Sequence, residues 1–545
     1  MTESTTLSNL LAWCSKRDFW IDPRIQIIAG PCGVAVFSRD TPIPPDSILV
    51  RIPRESVLSV KSSSISDLIP PHPYGRGAQF SLALALSVEL VNGATSPFLP
   101  YLKSLPREIP DIPLFWGAHQ PTLAQYGPPM EWLNGTEASK ILFDSGDNHN
   151  SLFSDIDQYF DQVACSVYGK VFESSPEMTP SLQDFYHAYA LVASRSFLVD
   201  SYHGLAMVPI ADAFNHAQEN HVHLESDFDV CPECGSLQRC VHDATLEHIP
   251  RSTNSDGADD FYEMVSNLAI PPNSEVFNTY GEALNNAELL VQYGFILDGN
   301  DNDHLTWTFN ELAQFSENHL SASSWTWDSV GGRAHFQDLL RSISSLLWDR
   351  VSESELVTLD RTRTFSLNGD AIISHSLWLY FALLACLRNA ASGPPNKSAL
   401  VVLLEEILEC QIALEQRIAS EEDKSELMLV PPQLPDDEQR RASPYGIILE
   451  LAQLLASLCR ARSARTGRAG VEMTELGEIL DVRRTACGVL AIIYFLYVLR
   501  RAFLLQRLPN DMTPTRMAIS LALTERSLLD SCISSWEVIA DFLEA

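Results

Sequence analysis

Hydrophobic and polar positions alternate in some stretches of this chain and follow a helical period in others. Near the N-terminus, the β-rich runs 33–38 and 47–53 flank a Pro-rich turn and predict a hairpin-like pair of strands. From Gly77 the pattern becomes helical, and the segment QDFYHAYALVASRSF predicts an apolar helix that ends near Arg195. Strand signals return over residues 204–281, which indicates a β-rich domain interrupted by helices.

The second half of the chain has a helical pattern from about His304 to its end. In ALVVLLEEILECQ, one helix face carries Leu400, Leu403, Leu404, Ile407 and Leu408. Residues 420–444 are charged and Pro-rich, and they predict a mobile loop between helices. Residues 485–499 form an uncharged run of 15, fewer than the about 20 that a bilayer-spanning helix needs, so we expect a buried core helix there.

Together these patterns predict an α+β fold. A split β-rich domain covers about residues 20–300, helices are inserted at about 77–197, and an all-α domain follows at 305–545. The segment GRGA lacks a third glycine and follows no strand, and the sequence contains no GxxxxGK(S/T), HExxH or GxSxG motif. Nucleotide hydrolysis, zinc proteolysis and serine-hydrolase chemistry therefore lack their usual signatures.

Composition and charge narrow the expected partners. With 70 acidic against 37 basic residues, the formal net charge is −33, which disfavours nucleic acid and anionic membranes and favours a basic, Lys-rich protein partner. The N-terminal segment has no apolar run of signal-peptide length, and 11 cysteines, an odd number, predict mostly reduced thiols in an intracellular protein. An intracellular protein would lie in the nucleus, the cytoplasm or both, and we also expect it to be a monomer.

A short basic cluster, RARSARTGR, lies in the C-terminal half of the chain. It is compatible with a nuclear-import signal, although a solvated loop is the favoured interpretation. Its four arginines are Arg460, Arg462, Arg465 and Arg468.

The segment NTYGEALNNAELLVQYGF contains two Tyr-Gly pairs that bracket a short predicted helix. Glycine lets the backbone bend or approach another group closely after each phenol. The pattern alone leaves two alternatives open: core tyrosines that flank a helix, or tyrosines that face a shared cavity.

Four segments, in their order and spacing, carry a resemblance to a known family. They are GPCGVAVFSRDTPIPPDSILVRIPRESVLS, SRSF, PIADAFNH and the Tyr-Gly segment itself. In these segments the chain resembles SET-domain methyltransferases of the Rubisco large-subunit methyltransferase-like class, most nearly the branch that methylates lysines in ribosomal proteins and nuclear factors. The resemblance covers about residues 25–300, and it implies a split SET domain, a helical insertion and a C-terminal helical substrate-binding domain.

The resemblance implies methyl transfer from S-adenosylmethionine to a lysine ε-amine of a protein substrate, a ribosomal protein being one candidate. The amine must be neutral although its reference pKa is about 10.4, so an apolar channel with aromatic walls would favour the reactive form. By resemblance, Tyr280 is the catalytic phenol and Tyr293 a second wall of that channel. Two rivals remain open: a non-catalytic SET-like module that binds a basic partner, and a methyltransferase acting on histidine.

The resemblance also assigns residues to the cofactor. The chain departs from the family where GPCG replaces the usual G-x-G, and where Asn285 replaces the serine of S-N-A. The residues that would contact S-adenosylmethionine are Gly33, Val34, Ala35, Arg195, Asp212, Asn215, His216, Asn286 and Ala287.

A second departure is an insertion at about residues 226–260, which contains CPECGSLQRCVH. Zn²⁺ binds four Cys or His ligands tetrahedrally, and a glycine after the second cysteine allows the tight turn of a zinc knuckle. The candidate ligands are Cys231, Cys234, Cys240 and His242, with His221, His223 and His248 as competitors. Free thiols on a surface loop are the alternative, and any zinc bound here would be structural.

Overall fold

The computed structural model divides the chain into two compact units. The first contains Met1–Phe115, Ile141–Leu284 and Glu288–Phe295, and the second contains Trp116–Lys140, Asn285–Ala287 and Ile296–Ala545. Residues 116–140, expected within the helical insertion of the β-rich domain, thus belong with the helical unit. The residues described are 3–30, 33–70, 72, 74–116, 128–143, 151–226, 230–244, 261–320, 326–348, 359–360, 364–389, 396–421, 443–468 and 513–544.

The described residues of the first unit form three small sheets. One has the order β1-β4-β9-β8, the second pairs β2 with β3, and the third has the order β5-β7-β6. All the paired strands are antiparallel. Their bounds are β1 Trp20–Ile21, β2 Ile25–Gly30, β3 Gly33–Ser38, β4 Ile48–Pro53, β5 Leu58–Ser59, β6 Ser196–Asp200, β7 Gly204–Met207, β8 Val222–Glu225 and β9 Phe261–Ser266.

The hairpin expected between runs 33–38 and 47–53 is wrong. β3 pairs instead with β2, in a register that sets Gly33 opposite Gly30, while β4 pairs with β1 and β9. Only two residues separate β2 from β3, the connection length that antiparallel hairpins favour, whereas nine Pro-rich residues separate β3 from β4. Local composition located the strands but not their partners.

The first unit has one closely packed pair of helices. Helices Gly75–Asn92 and Leu182–Arg195 pack against each other, and the first is apolar on nearly all sides, as a buried helix must be. The expected helix end at Arg195 is confirmed, because β6 begins at the next residue. The other helices lying wholly in this unit are Glu3–Lys16, Leu99–Leu102, Leu152–Tyr159 and Cys165–Val171.

A buried ion pair connects the sheets of the first unit. Arg54, which follows β4, donates from Nη1 to Oδ2 of Asp200 at the end of β6, at 2.9 Å. The hydroxyl of Tyr262 in β9 donates to the same carboxylate, and the Arg54 guanidinium lies over the Tyr262 ring. Because a buried charge is costly without partners, these contacts fix the turn that follows Asp200.

The second unit is mainly helical. Its buried core includes Leu400, Leu404, Ile407 and Leu408, which confirms the predicted apolar face of their helix. The unit also has a two-stranded sheet, β10 Leu305–Trp307 with β11 Phe365–Leu367, where the pattern predicted helices only. Its described helices are Pro129–Trp132, Phe309–Leu320, Arg333–Trp348, His375–Arg388, Lys397–Glu421, Pro444–Ser463 and Thr513–Glu544. Helices Glu137–Phe143 and Asn286–Tyr293 have residues in both units.

The basic cluster is not the solvated loop that its composition favoured. Helix Pro444–Ser463 includes Arg460 and Arg462, and Arg462 is buried. Its Nη2 contacts Oε1 of Glu137 at 2.5 Å, and its guanidinium lies over the Trp307 ring. A buried acidic partner far away in sequence therefore explains this arginine.

Two predictions concern residues outside the described ranges. These are the core helix at 485–499 and, except for its ends, the mobile loop at 420–444. Across the helices that are described, no segment has both the length and the apolar character that a membrane span requires.

Candidate active site

The rings of the two tyrosines in the Tyr-Gly segment pack against each other at a tilt. Tyr293 ends helix Asn286–Tyr293, and its ring centroid lies 4.6 Å from that of Tyr280, with the planes 30° apart. Phe295 completes the cluster, with its centroid 6.2 Å from Tyr280 and 6.3 Å from Tyr293. These distances are those of favourable aromatic pairs, so the segment forms one aromatic wall.

Gly294 allows the chain to turn between Tyr293 and Phe295. Its φ of +78° lies in the left-handed region, and an added Cβ would stand 2.9 Å from the carbonyl oxygen of Asp111. A side chain at this position would meet both backbone strain and a clash with backbone. The glycine is therefore required for the two rings to lie on one wall.

His216 anchors Tyr280 through its backbone. The Tyr280 N–H donates to Nδ1 of His216 at 3.1 Å, and the two rings lie 5.2 Å apart. Burial lowers the pKa of His216, so the imidazole is neutral at pH 7, with its proton on Nε2 while Nδ1 accepts. The PIADAFNH segment thus reaches the tyrosines directly.

Backbone hydrogen bonds hold the AFNH and NTYG segments side by side. The Asn278 N–H donates to the Asn215 carbonyl at 2.8 Å, and the Ala217 N–H donates to the Asn278 carbonyl at 3.1 Å. The Asn215 side chain donates from Nδ2 to Oε1 of Glu275 at 2.7 Å. Asn215 therefore positions the strand-like segment that leads to Tyr280.

Arg195 and Asp212 form a second, polar part of the site. Arg195 Nη1 lies 3.7 Å from Asp212 Oδ2 and 3.4 Å from the Asp212 carbonyl oxygen, to which it donates. The Tyr101 hydroxyl donates to the same Oδ2 at 2.9 Å. Burial raises the pKa of Asp212 although Arg195 opposes the shift, so the carboxyl depends on these two partners.

The polar and aromatic parts lie close enough to interact electrostatically. Burial raises the pKa of Tyr280 to about 12, with Arg195 lowering it and Asp212 raising it. Burial also raises the pKa of Tyr293, helped by its neighbour Tyr280. Both phenols are consequently protonated at neutral pH and can donate hydrogen bonds.

The N-terminal glycine segment contributes strand β3. Val34 and Ala35 are half-buried, and the Val276 N–H donates to the Val36 carbonyl at 2.8 Å, which holds β3 beside the segment leading to Tyr280. β3 also contacts the turn Ala211–Ala213, which carries Asp212. Most of the predicted site residues are thus gathered in the first unit.

Asn286 and Ala287 belong to the second unit, and both are buried. The Asn286 side chain donates from Nδ2 to the Leu297 carbonyl at 3.1 Å and to Asp303 Oδ2 at 2.8 Å. Its Oδ1 accepts from the Leu297 N–H at 2.7 Å. Both amide protons are used within the protein, so this side chain orders the chain after the helix, and its cofactor role stays a prediction.

The four candidate metal ligands converge. The ligand atoms of Cys231, Cys234, Cys240 and His242 all lie within 4.8 Å of one another. Nδ1 of His242 lies 3.6 Å from Sγ of both Cys231 and Cys240. The spacing of the cysteines in the sequence was therefore sufficient to find this cluster.

Three site residues were missed by the sequence analysis: Tyr101, Glu275 and Phe295. Phe295 stands in the quoted Tyr-Gly segment, and Glu275 stands in the strand signal just before it, so position could have suggested both. Tyr101 lies 111 residues before Asp212 on a short helix between prolines. No local pattern predicts such a contact.

Comparison with curated proteins gives several relatives, while no family model matches the chain. An uncharacterized protein of Schizosaccharomyces pombe is 27% identical over 300 residues, covering 53% of this chain and 54% of the relative. Ribosomal lysine N-methyltransferase 3 of Saccharomyces cerevisiae is 24% identical over 376 residues, covering 57% and 65%. The N-lysine methyltransferase setd6 of Xenopus tropicalis is 24% identical over 305 residues, covering 53% and 57%. The matched segments cover between 54% and 65% of the length of these relatives, so this chain spans only part of each one.

Solved structures show the same fold over nearly the whole chain. Rubisco LSMT bound to AdoMet has a TM-score of 0.52 at 14% identity, covering 99% of this chain and 93% of that one. The SET domain of LSMT bound to lysine and AdoHcy has a TM-score of 0.51 at 15% identity, covering 98% and 91%. The resemblance to the Rubisco LSMT-like class of SET-domain proteins and the α+β fold expected from the sequence are confirmed.

Proposed function

We propose that the protein is an S-adenosylmethionine-dependent protein-lysine N-methyltransferase. One observation carries the proposal: the Tyr280 and Tyr293 rings, 4.6 Å apart and anchored through His216, lie in the same compact unit as the half-buried Arg195–Asp212 ion pair. The fold is that of Rubisco LSMT, whose structures hold AdoMet or AdoHcy and lysine. Among the relatives, those with named activities are lysine methyltransferases.

The residues present fit the cofactor. A guanidinium has five N–H donors, and the contacts with Asp212 use Nη1, so Arg195 retains donors for a carboxylate. Strand β3 begins at Gly33, and the rings of His216 and Phe295, with centroids 5.8 Å apart, offer flat surfaces to an adenine or a methionine chain. S-adenosylmethionine, when bound, supplies a methyl group on a positively charged sulfur.

The tyrosines would prepare the lysine for attack. Their rings exclude water, which disfavours the ammonium form of the side chain and lowers its pKa. Because the Tyr280 pKa is about 12, its phenol stays protonated and orients the amine rather than removing its proton. The ammonium group must lose its proton to solvent before methyl transfer. Holding the neutral amine in line with the methyl group then increases the rate of the reaction.

Transfer of a tritiated methyl group to proteins of a cell lysate tests the proposal. Tyr280→Phe keeps the ring and removes the hydroxyl, and we expect about 10²-fold or greater loss, the usual effect of removing an orienting donor. Tyr159→Phe is the matched control, because it makes the same change at a core ring whose hydroxyl contacts Ser81. An absent signal in the wild type would favour the non-catalytic module, and an equal signal in the wild type and Tyr280→Phe would overturn the role of the Tyr280 hydroxyl.

The finer assignments are part of the same proposal. The surplus of acidic residues supports a basic substrate, with a ribosomal protein as one candidate, and it disfavours direct contact with nucleic acid. We propose a monomer that acts in the nucleus, the cytoplasm or both. Mass spectrometry of the labelled band identifies the substrate and separates lysine from histidine methylation, light scattering gives the oligomeric state, and imaging of a tagged chain gives the location.

A further inference from the structure

The Cys/His cluster of the insertion has the dimensions of a zinc site. Zn–S bonds are about 2.3 Å and Zn–N bonds about 2.0–2.1 Å, so tetrahedral angles place a sulfur and a nitrogen about 3.6 Å apart. The His242 Nδ1 lies 3.6 Å from Sγ of Cys231 and of Cys240. All four ligand atoms fall within 4.8 Å of one another, while two sulfurs on one tetrahedral zinc lie about 3.8 Å apart, so small side-chain movements bring the four onto one ion.

The loop around the first two cysteines is shaped like a zinc knuckle. The Gly235 N–H donates to the Cys231 carbonyl at 2.7 Å, and the Cys231 N–H donates to the Ser236 carbonyl at 2.9 Å. Gly235 has a φ of +72°, which glycine adopts without strain. This backbone turn holds the sulfurs of Cys231 and Cys234 on the same side.

The described histidines that could compete have other partners. His221 accepts the Phe277 N–H at its Nδ1 and stacks on the Phe277 ring. His223 lies 3.3 Å from Glu225 and 3.5 Å from Asn267. His242 therefore stands as the fourth ligand among the histidines of the described segment, while His248 lies outside it.

The knuckle rests on the turn between β6 and β7. The Ser201 hydroxyl donates to the Val230 carbonyl at 2.9 Å, directly before the first cysteine. A Cβ on Gly235 would stand 2.9 Å from the Tyr202 ring, so the absence of a side chain at Gly235 lets the knuckle backbone lie against that ring. Asp200, which anchors this turn to Arg54, accepts the N–H groups of Tyr202 and His203 at 3.0 and 2.6 Å.

We propose that Cys231, Cys234, Cys240 and His242 bind one Zn²⁺ through three sulfurs and Nδ1. The ion fastens the insertion to the β6–β7 turn and so supports the strand that leads to the candidate active site. Its role is structural: the ion takes no part in the methyl-transfer chemistry, and its binding does not depend on whether the protein is an enzyme. Other metals that accept thiolates are outcomes of the experiment.

Metal analysis of the purified full chain tests the site. We expect about one zinc per chain, falling to about a tenth or less in Cys231→Ser and Cys234→Ser. Cys165→Ser is the matched control, because Cys165 is an exposed free cysteine on a helix of the same unit. His242→Ala should lose the ion and His242→Cys should keep it, since a fourth thiolate is an equivalent ligand.

Two measurements on the wild type keep the test valid if a variant fails to fold. Replacement of zinc by Co²⁺ should give the visible absorption of a tetrahedral cobalt–thiolate centre. Removal of the ion by a chelator should increase hydrogen exchange at the amides of Tyr202 and His203 by about tenfold or more, because the turn loses its cover.

Several results would overturn the proposal. Zinc below about a tenth of an equivalent in the wild type, a different metal at full occupancy, or a disulfide at Cys231 would each remove the zinc site. Full zinc content in Cys231→Ser would place the ion elsewhere. If amide hydrogen exchange at Tyr202 did not change after chelation, the ion would not hold the insertion against the β6–β7 turn.

Discussion

At the scale of single residues, His216 connects the two motifs of the site. Its Nδ1 accepts the Tyr280 N–H, while its ring lies against Tyr280 and Phe295. Because burial lowers its pKa, the ring stays neutral and keeps Nδ1 as an acceptor. The Asn-His dipeptide is too short to be a motif by itself. In the folded chain, its histidine accepts the hydrogen bond that positions the Tyr280 backbone.

Removing this acceptor should destabilise the protein. His216→Ala leaves a part-buried backbone N–H without its partner, which costs about 1–3 kcal/mol, and it frees the Tyr280 backbone. His216→Asn should recover part of the loss, because Oδ1 can take the place of Nδ1. Urea unfolding measures the change, with the exposed His223→Ala as control. An unfolding midpoint for His216→Ala equal to that of the control would contradict the role.

At the scale of elements, the sequence predicted the position and end of helices and strands better than it predicted which elements pair with each other. The helix ending at Arg195 was found because its apolar pattern stops where strand residues begin. The partner of β3 and the burial of Arg462 were not found, because each depends on segments that composition does not connect. In the site, spacing indicated the cysteines and the family resemblance indicated the tyrosines, whereas Tyr101 reaches Asp212 only through the fold.

The turn after helix Asn286–Tyr293 offers a test of how an element positions the site. Gly294→Ala meets a left-handed backbone, at about 1–2 kcal/mol, and in addition a clash with the Asp111 carbonyl. Gly299→Ala is the matched control, because its φ is +73° with no atom within 4 Å of the added Cβ. We expect the urea midpoint to fall more for Gly294→Ala than for Gly299→Ala. We also expect Gly294→Ala to lose methyl transfer and Gly299→Ala to keep it. Equal effects of both variants would rule out the clash.

Helix Thr513–Glu544 carries a buried carboxyl that should make stability depend on pH. Burial raises the pKa of Glu525 to about 8, with Arg462 lowering it and Glu137 and Asp303 raising it. Its Oε1 accepts the Glu137 N–H at 2.9 Å. The unfolded chain releases this proton near pH 4.5 and the folded chain near pH 8, so the free energy of unfolding falls as pH rises between these values.

The expected slope is about 1.4 kcal/mol per pH unit from this group. Glu525→Gln keeps an acceptor for the Glu137 N–H and cannot ionise, so its stability should vary less than that of the wild type between about pH 6 and pH 8. Urea midpoints across this range measure the difference. Glu544→Gln, at the exposed end of the same helix, serves as control. Parallel curves for the wild type and Glu525→Gln would contradict the raised pKa.

At the scale of the whole molecule, the net charge of −33 should change the rate at which the protein associates with a charged substrate. A field of one sign raises association rates for oppositely charged partners by about 10–10³-fold, and salt screens it over a Debye length of about 10 Å at 0.1 M. If the substrate is basic, kcat/KM for a Lys-rich peptide should fall about tenfold between about 20 and about 200 mM salt.

The proper control for this prediction is a peptide with the same target residue and acidic flanking residues, for which kcat/KM should stay level or rise with salt because screening weakens repulsion. Initial rates at low peptide concentration measure kcat/KM directly, and kcat itself should change little since the field acts before binding. If both peptides responded to salt alike, the acidic surplus would serve solubility rather than substrate capture.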